Sequence, residues 1–322
     1  RTLDRLDARL AQTHDARAGA TLVVLLTTLA LCALALLRRS RAWARAALLS
    51  IPAALGAALR RSALGGARPA VVLPALFALI VVASLAGARA RVRPMLLGFL
   101  AVYLVVLAIW PEVNALAIVG PHPDGGGRFY GITNQVETLL LAPIVVAGTT
   151  LFVPVAAVSL VLLGWSRAGA DGGGLVVAAV VLSVLALRRR GTALGPRTLA
   201  LVAVGALGIG LVLVGLDAAI GGTSHVTRAL GGGPLHLLGT LGHRLRTSYD
   251  GVVSTWYHAL IACLTAAAVA MFALLRPHRP ALDALLVGLA VSLLVNDTAT
   301  DVLGWGALSC AAVWTWDRLA ER

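Results

Sequence analysis

The stretch GGGRFYGITNQVET, Gly125 to Thr138, places three glycines before an arginine, a tyrosine and the start of a helical pattern. The glycines free the backbone, Arg128 can grip a phosphate or carboxylate through two parallel N–H bonds, and open amides at a helix start add to anion affinity. Tyr130, Asn134 and Glu137 follow. A carboxylate or amide at the mouth of an apolar span is costly unless it faces protein or water. Two readings are open: these groups line a site, or Asn134 and Glu137 bond neighbouring helices as polar glue.

Three further stretches carry polar chemistry. In AGADGGG, Ala168 to Gly174, Asp171 stands alone among glycines, placed to bind a cation or hydroxyl or to cap the helix that follows. The connection from Asp217 to His258 alternates apolar residues with Arg228, His236, His243, Arg244 and Arg246, in two pieces separated by glycines. That pattern predicts short amphipathic helices on the bilayer surface, either interfacial anchors or a basic lid over an anion. Its histidines lack the close spacing of a zinc site, so no metal is expected. VNDTATD, Val295 to Asp301, sets Asn296 and Asp297 where an apolar run stops, as a ligand-lined helix break or an ordinary polar turn. No nucleophile elbow, phosphate loop, dinucleotide fingerprint or HExxH occurs, so no catalytic residue and no cofactor is nominated.

The elements that must position these residues are apolar helices. Of 322 residues, 59% are hydrophobic and 13% charged, with a mean hydropathy of +0.90. A water-soluble domain keeps about a quarter of its residues charged. The runs are continuous and rich in Ala and Leu, which predicts membrane-spanning helices and not the alternating strands of a barrel. Eleven spans are expected (ten to twelve), near 19–37, 46–59, 70–88, 94–110, 131–149, 151–165, 174–187, 198–216, 258–275, 281–296 and 302–316. The fold class is all-α, a polytopic transmembrane bundle. The segment 46–59 is short and is the weakest span, open to a re-entrant or interfacial placement. The three cysteines lie far apart inside apolar runs and read as packing residues.

All 27 basic residues are arginine, the net charge is +13, and the usage suggests a GC-rich bacterial coding sequence. Arginines flanking spans face anionic lipid headgroups, so the charge points to a bilayer and not to nucleic acid. If all eleven spans cross, fifteen arginines fall in alternate connections: Arg38 to Arg45, Arg89 to Arg93, Arg188 to Arg197, Arg276 with Arg279, and Arg318 with Arg322. Those connections are then cytoplasmic, with the N-terminus outside and the C-terminus inside. Arg60, Arg61 and Arg68 are discordant. Every polar, glycine-rich segment (111–130, 165–173, 217–257 and 296–301) then falls on the exoplasmic face. Residues 1–18, RTLDRLDARLAQTHDARA, read as a charged linker from an upstream segment, and 19–322 as the membrane domain.

GRFYGITNQVETLLL, ADGGG, SHVTRAL with the following HRL, and LLVNDTATD together resemble the membrane half of a bacterial family. In its full-length members an exoplasmic alkaline-phosphatase-like domain precedes a polytopic helical domain, and the opening 18 residues resemble the linker between the halves. The resemblance covers nearly the whole chain. It implies that the metal-binding catalytic residues lie outside these 322 residues. Two departures stand out: Asn134-Gln135 where the family pattern has Asn-Glu, and His243-Arg244 where it has Arg-Lys.

The expected function is a membrane module with an outward polar pocket formed by Arg128, Tyr130, Asn134, Glu137, Asp171, Arg228, Arg244, Asn296 and Asp297. It would handle an anionic envelope intermediate, a phosphorylated lipid or glycan, by presentation or transport. The alternatives are a secondary transporter of a small solute and a passive anchor for a fused phosphatase-like domain.

Overall fold

The computed structural model describes residues 2–64, 69–119, 131–219, 233–275 and 279–319. Among them the chain is helical and contains no strand. In order the helices are α1 (Thr2–Arg38), α2 (Arg41–Leu64), α3 (Pro69–Gly87), α4 (Val92–Ile109), the single turn α5 (Pro111–Ala115), α6 (Asn134–Gly148) and α7 (Phe152–Gly164). There follow α8 (Gly172–Arg189), α9 (Pro196–Ala219), α10 (Gly233–Val253), α11 (Trp256–Leu274), α12 (Pro280–Val295) and α13 (Ala299–Leu319). Each of the eleven apolar segments coincides with one helix.

Seven of these helices are long and apolar enough to cross a membrane: those over residues 13–38, 41–59, 70–87, 92–109, 172–189, 196–217 and 256–274. The apolar helices α6, α7 and α12 are shorter. Leu201 and Val204 of α9 are 74% and 70% exposed, and Leu264 and Leu274 of α11 are similarly bare. Apolar surface this continuous has no place in water but is the natural outer face of a bundle in lipid. Trp110, Tyr249, Trp256 and Tyr257 are exposed at one end of it, the level where aromatic side chains gather at a membrane interface.

The segment 46–59 is neither short nor superficial. It belongs to the 24-residue α2, whose apolar stretch is 72% buried, more than any of the other six. Its lower hydropathy comes from Arg41, exposed at the helix start, and from Arg45 and Ser50, which face protein at least in part. Ser50 Oγ lies 2.7 Å from Thr28 Oγ1 of α1 inside the bundle. The charged opening segment is continuous with the first span as one helix, α1. In the basic connection the second piece is a helix, α10, which runs through Gly239 and Gly242; the first piece lies outside the described residues.

At the centre stands α6, buried at every position but Asn134 and packed against α2, α4, α7, α8, α12 and α13. Thr133 caps it, accepting from the Val136 amide. Its 15 residues reach about 22 Å, short of a hydrocarbon core of roughly 30 Å. Its last turn is level with the arginine end of the bundle, where Arg189 Nη1 donates to Gly148 O at 3.4 Å. The shortfall therefore lies at the other end, which recesses the polar residues of its first turn.

Helices α8 and α12 run against each other at Gly288, where an added Cβ would strike Val181 Cγ2. At the arginine end, Arg188 Nε pairs with Asp283 Oδ2 at 2.6 Å. Gly288→Leu is expected to prise the two helices apart, a cost of about 1–3 kcal/mol. The check is thermal unfolding in detergent, which should shift down by several degrees. An unchanged midpoint would place the packing elsewhere.

Candidate functional site

The polar segments meet at the end of the bundle opposite the arginine clusters. Tyr103 OH donates to Asn114 Oδ1 at 3.1 Å, and Asn114 Nδ2 donates to Gly131 O at 2.6 Å. The Ile132 amide donates to Gly169 O at 2.8 Å, and Ser166 Oγ donates to Asp217 Oδ1 at 2.9 Å. The Ala299 amide donates to Ser248 Oγ at 3.0 Å, which ties α10 onto the break between α12 and α13. These bonds join the described parts of all four polar segments. Thr13 Oγ1 reaches Leu116 O at 3.5 Å, so the beginning of α1 is at this same end.

Gly131 sits at φ +85° with Gly169 O against its Cα, a left-handed and crowded position that suits glycine alone. It turns the chain downward into Thr133 and α6. From there the site has two tiers. In the outer tier, Asn134 Nδ2 donates to Asp297 Oδ1 at 2.8 Å and to Thr298 Oγ1 at 2.9 Å. In the inner tier, Asn296 Nδ2 donates to Glu137 Oε2 at 2.7 Å and to Ser292 Oγ at 2.7 Å. Ser292 Oγ also donates to Glu137 Oε1, at 3.4 Å. Glu137 is wholly buried, and Asn296 nearly so.

Asp171 adds a second carboxylate to the inner tier. It occupies the N-cap position of α8 yet makes no side-chain bond to the helix amides, so capping is not its role. Its carboxyl turns toward Glu137 instead. A Cβ at Gly174 would lie 2.6 Å from Asp171 Oδ2 and 3.1 Å from Glu137 Cγ, and one at Gly173 would lie 2.7 Å from Asn296 Oδ1. The glycine run lets the start of α8 press onto the polar groups. Interhelical glue needs only amides and hydroxyls. Two carboxylates held side by side in an apolar core are a costly addition to it.

Of the residues nominated above, Asn134, Glu137, Asp171, Asn296 and Asp297 form this cluster. Arg244 of α10 lies at its edge, donating from Nη1 to Val295 O at 3.0 Å, the end of α12. That bond takes one of the five N–H groups of the guanidinium. Arg128, Tyr130 and Arg228 lie outside the described residues. Ser292, Thr298 and Ser248 were missed. Ser292 had a signal, since it stands four residues before Asn296 on one helix face; the other two had none.

The cluster offers carboxylate and amide oxygens as acceptors, an array suited to hydroxyl or ammonium donors, with Arg244 beside it for an anion. Among the described residues no group of three or more His, Cys, Asp or Glu side chains is placed to hold a metal ion. His258 Nδ1 lies 2.8 Å from Ser254 Oγ at the start of α11, at an exposed position. The chain matches no family model, no curated protein and no solved structure.

Proposed function

We propose that the chain is a multi-pass module of a bacterial cell membrane, crossing eleven times with its N-terminus outside and its C-terminus inside. In this reading its outer polar cluster receives an anionic, phosphorylated lipid or glycan intermediate of the envelope. The carboxylates and amides of the two tiers take sugar hydroxyls, and Arg244, with Arg128 and Arg228, holds the phosphate. The intermediate is presented to an attached phosphatase-like domain at the beginning of α1, or moved across the bilayer. The observation that carries the reading is the hydrogen-bonded meeting of Asn134, Glu137, Asn296 and Asp297, residues 163 positions apart at the Asn134–Asp297 bond. The orientation is supported by the arginine-rich turns at the opposite end.

The test uses the full chain in lipid nanodiscs and a polyprenyl-phosphate-linked sugar as probe. Arg128→Ala is expected to weaken binding at least about 10-fold, the worth of a charge-assisted phosphate contact, with thermal unfolding unchanged. Equal binding by both proteins would overturn the assignment.

A second reading, a secondary transporter of a small solute, is favoured by one observation. The α12–α13 break at 296–298 is bonded to the first turn of α6, an interrupted-helix arrangement found at transport sites. Uptake of labelled solute by proteoliposomes, absent in the phosphate-lipid reading with presentation alone, separates the two. A passive anchor is disfavoured, because it gains nothing from adjacent buried carboxylates.

A further inference from the structure

The arginine end holds a pocket of its own, about 720 Å³ in volume, remote from the polar cluster. Arg45 of α2, Arg89 and Arg91 of the α3–α4 turn, Arg93 of α4, Thr150 of the α6–α7 turn and Trp316 of α13 line it. Arg45 is steadied by donating from Nη1 to Ala88 O at 3.4 Å. Two helices begin at the rim: α4 after Arg91 and α7 after Leu151, neither with a side-chain cap on its opening amides. Guanidinium groups and uncapped helix starts both favour an anion, and here they face one space.

The rest of the wall is apolar. Val92, Pro94 and Leu151 complete the lining, and Trp316 is buried to 5% exposure. Beside the pocket, Val82, Leu85 and Met95 lie bare on the outer faces of α3 and α4. Scattered interfacial arginines need no concavity. A cationic mouth with an apolar wall that runs onto lipid-facing helices has the polarity of an anionic phospholipid.

We propose that this pocket binds a phosphate-bearing group, held by Arg45, Arg89 and Arg91. Its source is the headgroup of an anionic lipid in the adjoining leaflet or a free phosphate from the aqueous side. The site is separate from the polar cluster and independent of what that cluster binds.

The experiment compares the full chain in nanodiscs of phosphatidylcholine, the same with phosphatidylglycerol, and the second with added inorganic pyrophosphate. Bound species are read by native mass spectrometry, and thermal unfolding is followed in parallel. Wild-type protein is expected to retain phosphatidylglycerol at least about 10-fold over phosphatidylcholine. Arg89→Gln with Arg91→Gln, both exposed positions, should remove that preference. Arg38→Gln with Arg41→Gln, exposed arginines outside the pocket, should leave it intact. Retention of phosphatidylglycerol alone identifies the lipid source; binding of pyrophosphate that displaces it identifies the free phosphate source. No preference in the wild-type protein, or equal loss in both double variants, would overturn the proposal and leave the arginines as general surface charge.

Discussion

Glu137→Ala is expected to be the most damaging single change, costing roughly 3 kcal/mol or more of bundle stability and abolishing ligand binding. The side chain is wholly buried and accepts from both Asn296 and Ser292. Truncation leaves a cavity at the most enclosed helix and strips an amide N–H of its partner in an apolar surrounding. Glu137→Gln separates the two losses. Glutamine keeps the volume and one oxygen for Asn296, so most of the fold should survive, whereas one carboxyl oxygen beside Asp171 is replaced by an amide donor. Detergent melting together with binding of the phosphorylated probe measures both. If the glutamine variant binds as wild type, Glu137 is interhelical glue and nothing more.

The second large effect is at Gly174. In an ordinary helix Gly→Ala gains about 0.5–1 kcal/mol, because alanine has less backbone freedom to lose. Here the sign should reverse. The new methyl would lie 2.6 Å from Asp171 Oδ2 and 3.0 Å from its Cγ, with Glu137 Cγ at 3.1 Å on the far side. One carboxylate must move, and both are held in a packed interior, so Gly174→Ala should destabilise by about 1–3 kcal/mol and lose binding. Gly208→Ala on α9, with open space around its Cα, is the control and should be neutral or stabilising. A stabilised Gly174→Ala protein would show that the start of α8 does not rest on the cluster.

The helices were legible because an uninterrupted apolar run of this length has few other folds open to it. Where boundaries differed, tertiary contact outweighed composition. Arg45 and Ser50 cut the apolar count of α2, yet the helix continues through them because it lies against protein. The second piece of the basic connection is the helix α10, and Ser248 and Arg244 dock it on the α12–α13 break. The candidate residues were also legible, since amides and carboxylates inside apolar sequence are conspicuous. Their pairing was not. Nothing in one sequence joins Asn134 to Asp297 or Glu137 to Asn296 across more than 150 positions, and the meeting of Asp171 with Glu137 depends on the approach of α6.

In the proposed topology, hydrophilic stretches distant in the chain share one side of the membrane and the arginine turns share the other. Site-directed labelling in intact cells tests it, after Cys32, Cys263 and Cys310 are replaced by alanine. Single cysteines replace Ser166 and Tyr249 at the cluster end, and Ala90 and Thr150 at the arginine end. A membrane-impermeant maleimide should modify Ser166→Cys and Tyr249→Cys from outside, and Ala90→Cys and Thr150→Cys only after permeabilisation. Modification of one member of each pair from outside would contradict the account.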